Sequence, residues 1–288
     1  MEIGLQTEVK SNPRPCAQGV PAVILKLNRG KEVALMFLTK LEVVEEFVLG
    51  PEINSLEVSG FNGAIRWEPL EAGQARVVAE KSVRGLNETS LRALLQELRV
   101  EQRVEGRRLV LTAVRPERIW GMFSSQMRFT ILASGEHLQE LRARTANGSI
   151  RLNVPFRGVL DASTQNGPIS MAEVIGRVQA RTANGRIEFG RLVLTEPSAL
   201  LTSNGRIQGQ LVLAGDGEYR LRTSNGQIDL RMPRSTKGLL RAITSNGRVE
   251  CRLGENQLTG RKEVVIRNGD GPHLDITTSN GSISILGY

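Results

Sequence analysis

One hexapeptide recurs seven times in the second half of the chain and constrains the fold more than any other feature. The first copies are Thr145-Ala146-Asn147-Gly148-Ser149-Ile150, Thr164-Gln165-Asn166-Gly167-Pro168-Ile169 and Thr182-Ala183-Asn184-Gly185-Arg186-Ile187. Then come Thr202-Ser203-Asn204-Gly205-Arg206-Ile207 and Thr223-Ser224-Asn225-Gly226-Gln227-Ile228. Thr244-Ser245-Asn246-Gly247-Arg248-Val249 and Thr278-Ser279-Asn280-Gly281-Ser282-Ile283 complete the series. Successive asparagines stand 19, 18, 20, 21, 21 and 34 positions apart. A fixed period of this size marks a fold in which one small unit is stacked on copies of itself. The last interval holds an insertion, whose Asn268-Gly269 lacks the flanking Thr and Ile. A degenerate early copy stands at Gly60-Phe61-Asn62-Gly63-Ala64-Ile65.

On both sides of each Asn-Gly the chain alternates. Counting back by twos from the threonine gives Ala143 and Leu141, Ala162 and Leu160, Ala180 and Val178, then Leu200, Leu221, Ala242 and Ile276 in later copies. Two residues past the Ile or Val come Leu152, Met171, Phe189, Gly209, Leu230, Cys251 and Ile285. Polar residues fill the positions between: Arg144, Arg181 and Arg222 before the corner, Glu188, Gln208, Asp229 and Glu250 after it. This period of two predicts strands of about five residues with one face buried. It sets the repeated Thr and Ile inward. Asn and Gly tolerate positive φ, so the pair is expected to turn the chain sharply.

Two architectures fit that local pattern. An Asn-Gly turn between alternating strands is a strong hairpin signal, which would give an antiparallel meander. The alternative is a β-solenoid in which each period is one coil and Asn-Gly marks the same corner every time. Identical residues at identical phase favour the solenoid, because stacking sets Ile on Ile and Asn on Asn. A ladder of Asn147, Asn166, Asn184, Asn204, Asn225, Asn246 and Asn280 can share side-chain amide hydrogen bonds between layers. Seven coils at ~4.8 Å would rise roughly 34 Å.

The first half is less regular. Leu41–Phe47 and Ser55–Val58 read as strands leading to the early Asn62-Gly63 corner. Asn87 is a candidate N-cap, and Leu91, Leu94, Leu95 and Leu98 recur at helical spacing, which predicts a helix over residues 88–99. Val100–Val104 and Leu109–Leu111 read as a strand pair, residues 116–125 as a loop with Trp120, Met122 and Phe123, and Met127–Leu132 as a strand. The expected organisation is an N-terminal segment (1–40), a cap region of strands plus one helix (41–140), and the repeat solenoid (141–288). The expected fold class is all-β, a β-solenoid of about seven coils with a cap that covers unpaired backbone edges. The loop aromatics would plug that end.

The combination of alternating strands and recurrent Thr-x-Asn-Gly-x-Ile resembles a bacterial family of β-strand-repeat domains of unknown function known as "putative adhesins". The resemblance covers roughly residues 41–288, from the early Ser55–Trp67 strand–corner–strand to the closing Thr278–Ile285 copy. It implies a β-solenoid and a role at the cell envelope or surface, and it supplies no catalytic residues.

Composition removes several function classes. Two cysteines and two histidines among 288 residues exclude a disulfide scaffold and a four-cysteine zinc site. No apolar run approaches the ~18 residues of a membrane helix. Residues 1–40 show no charged start followed by an apolar stretch and a cleavage site, so the chain is expected in the cytoplasm by default. The cell envelope is the expectation if it is exported or translation starts elsewhere. No Ser/His/Asp, Cys/His or Gly-x-Ser-x-Gly arrangement appears, the carboxylates are scattered singly, and no cofactor or metal motif is found. Asn268-Gly269-Asp270-Gly271 reads as a tight turn, since a calcium loop needs oxygen ligands at alternate positions. The chain is therefore read as a non-enzyme, and a carbohydrate-active β-helix enzyme is the less favoured reading.

Charge gives the sharper clue. The net charge of +8 lies wholly on residues 141–288, where twenty basic side chains face twelve acidic ones. The candidate binding surface is Arg186, Arg206 and Arg248 at one ladder position, with Arg144, Arg181 and Arg222 at another. Glu188, Gln208, Asp229 and Glu250 share the first of these faces and are expected to offset part of it. Exposed aromatics for base stacking are scarce, which argues against nucleic acid. The expected function is a non-enzymatic structural or binding protein that presents a regular surface to a protein or cell-envelope polymer. Polyanion binding, to teichoic-acid-like polymers or nucleic acid, is the alternative. End-to-end self-association is a further expectation, because solenoid ends carry unpaired edges.

Overall fold

The computed structural model describes residues 39–115, 124–260 and 262–288. The expectations placed on residues 1–38 and on Trp120, Met122 and Phe123 lie outside the described residues. Those described form an all-β structure, an open sheet of 21 strands with one helix. Ahead of the repeats lie β1 (Thr39–Val48), β2 (Ser55–Ser59), β3 (Ile65–Glu68), β4 (Arg76–Gly85), α1 (Glu88–Glu97), β5 (Arg99–Glu105), β6 (Arg108–Val114) and β7 (Ser124–Leu132). Next come β8 (Glu140–Thr145), β9 (Ile150–Thr164), β10 (Ile169–Thr182), β11 (Ile187–Leu194), β12 (Ser198–Thr202), β13 (Ile207–Leu213), β14 (Glu218–Arg222) and β15 (Ile228–Met232). The last are β16 (Gly238–Asn246), β17 (Val249–Leu253), β18 (Asn256–Gly260), β19 (Glu263–Asn268), β20 (His273–Asn280) and β21 (Ile283–Gly287).

Strands joined at an Asn-Gly corner do not pair with each other; each pairs in parallel with its counterpart in the neighbouring repeat. Before the corner the order is β6, β2, β8, the second halves of β9 and β10, β12, β14, β20 and β16. After the corner it is β7, β3, the first halves of β9 and β10, β11, β13, β15, β21 and β17. Pairing runs unbroken from β2 and β3 into β8 and β9, so the early copy joins the later ones: Asn62 bridges in parallel to Asn147. At each end the outermost partners are antiparallel. They are β5 on β6, with β4 on β7 and β1 on β4, and at the other end β19 on β16 and β18 on β17.

Spatial order departs from chain order at both ends. The copy that comes last in sequence, β20–β21, lies between β14–β15 and β16–β17. The physical reason is the insertion: β19 and β18 occupy the outer edges of β16 and β17, so the returning chain meets its partners on their inner side. The first copy, β2–β3, is likewise enclosed between β6–β7 and β8–β9.

Register builds the core. Ile65, Ile150, Ile169, Ile187, Ile207, Ile228, Ile283 and Val249 form one buried ladder. The corner threonines are buried polar groups, and each hydroxyl must find a partner. Thr145, Thr164, Thr182, Thr202, Thr223, Thr278 and Thr244 each donate to the corner-glycine carbonyl of the adjacent layer, at 2.8–3.1 Å. The asparagine amides form a parallel chain of bonds. Each Nδ2 donates to the next Oδ1 at 2.7–2.8 Å, in the order Asn246, Asn280, Asn225, Asn204, Asn184, Asn166, Asn147, Asn62.

The glycine of the pair has a different purpose from the expected one. Among the corner glycines only Gly63 has positive φ, and no described non-glycine residue does. Glycine is required by close approach: a Cβ on Gly148, Gly167, Gly185, Gly205, Gly226, Gly281 or Gly247 would overlap the carbonyl oxygen of the glycine one layer below. Gly209 interrupts the inward ladder for a related reason, since the Phe189 carbonyl oxygen and ring occupy the space its side chain would fill.

The helix is capped as its sequence suggests. Asn87 Oδ1 accepts from the Thr89 and Ser90 N–H groups at 2.9 and 3.3 Å, and Leu91 and Leu94 are buried. It ends at Glu97, two residues earlier than the periodicity predicts, because Leu98 turns extended and Arg99 opens β5. The helix lies against β4 and β1.

Cys251 stands in the buried ladder next to Ile285. Burial pushes its thiol up from 9.0 to about 11. The neutral thiol is thus favoured in the fold, and this contribution is full below the unfolded pKa and lost as pH rises through the folded one. Native protein at about pH 8 is expected to leave Cys251 unalkylated, with reaction only in denaturant. Peptide mapping separates it from Cys16, and rapid native labelling would show that the layer opens.

Candidate functional site

Each strand column has an outward face on which every second side chain meets solvent. On the column after the corner, arginine and carboxylate interlock. Arg186 Nε stands 2.8 Å from Glu188 Oε2, and Gln208 Nε2 donates to Glu188 Oε1 at 2.8 Å. Arg206 donates to Gln227 Oε1 at 2.8 Å and lies 3.5 Å from Asp229. Arg248 has no carboxylate within 4.0 Å among the described residues.

This column also contains the larger depression, a groove of about 740 Å³ crossing β9, β10, β11, β13, β15 and β21. Two register shifts form it, one where Asn153 and Val154 oppose Ala172, and one where Gly190 is extra relative to β13. A β-bulge bends its strand and re-aims side chains, and here small residues, Ser170, Ala172, Gly190 and Gly209, leave the floor low. The walls are amides and charged groups such as Asn153, Gln210, Asp229 and Arg231.

On the column before the corner, the three arginines of one ladder position have different surroundings. Arg144 is neutralised, at 3.4 Å from Glu57 and 3.2 Å from Asp161. Arg142 joins the same cluster through Glu140 at 2.8 Å, and Arg108 reaches Glu140 at 2.9 Å. Burial alone would raise the Glu140 pKa, but the Ser55 hydroxyl, Arg108 and Arg142 outweigh it, and the net direction is down. Arg181 and Arg222 stand opposite each other across Leu201 of β12. Neither has a carboxylate within 4.0 Å among the described residues, and the same holds for Arg177 and Arg220.

Between these arginines lies a second depression, a trough of about 420 Å³. Its floor is Pro197, Ala199 and Leu201; Arg177, Gln179 and Arg181 form one rim, and Glu218 and Arg220 the other, with His273 and Asp275 beyond. The sequence reading found Arg181 and Arg222 but missed Arg177 and Arg220. The signal was present in Ala199 and Leu201, two uncharged side chains at outward positions, Leu201 between Arg181 and Arg222 and Ala199 between Gln179 and Arg220. Among the described residues, no group of three or more His, Cys, Asp or Glu side chains is placed to hold a metal ion. No described helix is long and apolar enough to cross a membrane.

No protein-family model matches the chain, and no curated protein matches it. Several solved structures are distantly similar to it. A "putative adhesin" from Bacteroides fragilis aligns with TM-score 0.38 and 10% identity over 87% of this chain and 98% of its own. A "putative cell adhesion protein" from Clostridium sporogenes gives 0.35 and 11% over 86% and 100%. A "putative lipid binding protein" from Parabacteroides distasonis gives 0.36 and 12% over 86% and 95%.

Proposed function

We propose that this chain is a non-enzymatic, adhesin-like binding protein whose repeats form a β-solenoid, presenting its outward strand faces to a protein or cell-envelope polymer. In this reading the coils are the seven Asn-Gly repeats, with the Asn62 copy as an additional one, and the strands and helix of residues 41–140 close one end. The observation that carries it is the in-register parallel pairing of both columns, which fixes outward side chains at steps of ~4.8 Å. Because neighbouring layers hold each other through buried Thr–Gly and exposed Asn–Asn hydrogen bonds, that surface is set before a partner arrives. Preorganisation of this kind lowers the ordering cost of binding.

The test is retention of envelope fractions on the immobilised, folded protein, with heat-unfolded protein as reference. Saturable retention by the folded form alone is the expected result. Equal retention by both forms, or turnover of any polymer in a polyuronide panel, would overturn the reading.

A further inference from the structure

We propose that the trough floored by β12 is a binding site for an acidic polysaccharide, with its carboxylates held between the arginines of β10 and β14. This rests on the binding reading above and names the class of ligand for one face. The first argument is electrostatic. Elsewhere on the same column arginines stand in carboxylate pairs, as Arg144 does with Glu57 and Asp161. Arg177, Arg181 and Arg220 around this trough, and Arg222 beside it, have no carboxylate within 4.0 Å among the described residues, the register partner of Arg220 being Asp275. A guanidinium is a rigid fork that grips a carboxylate through two parallel hydrogen bonds.

The second argument is shape. The strands β10 and β14 both pair with β12, so the two arginine rims stand two layer spacings apart, about 10 Å. An extended polymer lying along β12 is then reached from both sides. Its floor is low and apolar: Pro197, Ala199 and Leu201 offer a surface for the flat face of a sugar ring.

The third argument separates a glycan from a phosphate polymer. Glu218 and Asp275 stand among the same lining residues. A polyphosphate chain has no hydroxyl group to offer, so it meets the two rim carboxylates only as repulsion. Against sugars they are acceptors for hydroxyl groups, as the Gln179 amide is both donor and acceptor. The mixture of arginine, carboxylate and amide therefore fits a ligand whose carboxylates are interspersed with hydroxyls.

The experiment uses the purified full chain against immobilised polygalacturonate, dextran and polyphosphate, at about 50 and about 200 mM salt. Polygalacturonate is expected to bind most tightly, with binding weakened by salt. The double variant Arg181→Gln, Arg220→Gln is expected to lose about tenfold or more in affinity, on the scale of a lost charge-assisted hydrogen bond. Arg151→Gln, at an exposed position on the other column, is expected to bind as the parent does. Unfolding midpoints check that both variants remain folded. Equal affinity for dextran, equal or tighter binding of polyphosphate, or the same loss from Arg151→Gln would each overturn the assignment. If no acidic polymer binds while envelope fractions are still retained, this inference fails and the broader binding function stands. If neither is retained, both fail.

Discussion

Ile207→Asp is expected to destabilise the protein by about 4 kcal/mol or more, whereas Gln208→Asp one residue later is expected to stay within about 1 kcal/mol. Ile207 is fully buried, between Ile187 and Ile228 in adjacent layers. Its loss removes roughly 1.5–3 kcal/mol of apolar burial. The carboxylate that replaces it has no cation on the inward ladder, so it is either buried charged or forced to take up a proton, and both cost more. Gln208 is outward, donating to Glu188 and accepting from Arg206 at 3.3 Å. A carboxylate there loses the bond to Glu188 and meets a like charge, but it gains attraction to Arg206. Urea unfolding of both variants measures the difference. Equal destabilisation would mean that the assignment of inward and outward faces on β13 is wrong.

Gly205→Ala is expected to cost about 3 kcal/mol or more, at the upper end of what overpacking a rigid site produces. The added methyl would overlap the Gly185 carbonyl oxygen, which also accepts the Thr202 hydroxyl at 2.8 Å. Relief requires the backbones of two layers to separate, and the Asn204 to Asn184 bond at 2.8 Å is strained with them. Two comparisons isolate the cause. Ser203→Ala, at an exposed position of the same corner, is expected within about 0.5 kcal/mol of the parent. Gly106→Ala tests backbone conformation alone, since Gly106 has φ of +62° and open space around it. It is expected to cost about 1–2 kcal/mol. If Gly205→Ala is no worse than Gly106→Ala, crowding between layers is not what selects glycine at the corner.

These two residues also mark how far the sequence could be read. The phase of Ile207 and Gln208 followed from alternation alone, because a strand with one buried face writes that face into every second residue. Glycine was legible as a necessity but not in its cause. A turn that needs positive φ and a layer that needs bare backbone both select the same residue. β4 was not foreseen, since Lys81 stands at an inward position of its alternation. In the structure Lys81 is 5% exposed and forms an ion pair with Glu45 of β1. The trough was half legible for another reason. Ladder positions group residues at one phase, such as Arg181 and Arg222, whereas a depression gathers neighbours along each strand as well. The groove on the other column depends on the two bulges, and a one-residue shift of register leaves no mark in a period that already varies from 18 to 21.

The enclosed position of β20–β21 has a consequence for how the molecule can be made. A ribosome delivers β16 and β17 before β20 and β21, at a moment when the exposed edges of β14 and β15 are the natural place for them to dock. In the finished protein those edges belong to β20 and β21. The layers therefore cannot simply accumulate in the order of synthesis. Either β16 and β17 wait undocked with their hairpin, or they settle early on the wrong edge and must be displaced when the last strands emerge. Because every copy has the same Thr, Asn and Gly at the same phase, followed by Ile or, in β17, Val249, the early docking would be nearly as well matched as the final one. The regularity that makes the stack cohere also makes its own segments compete for each place in it.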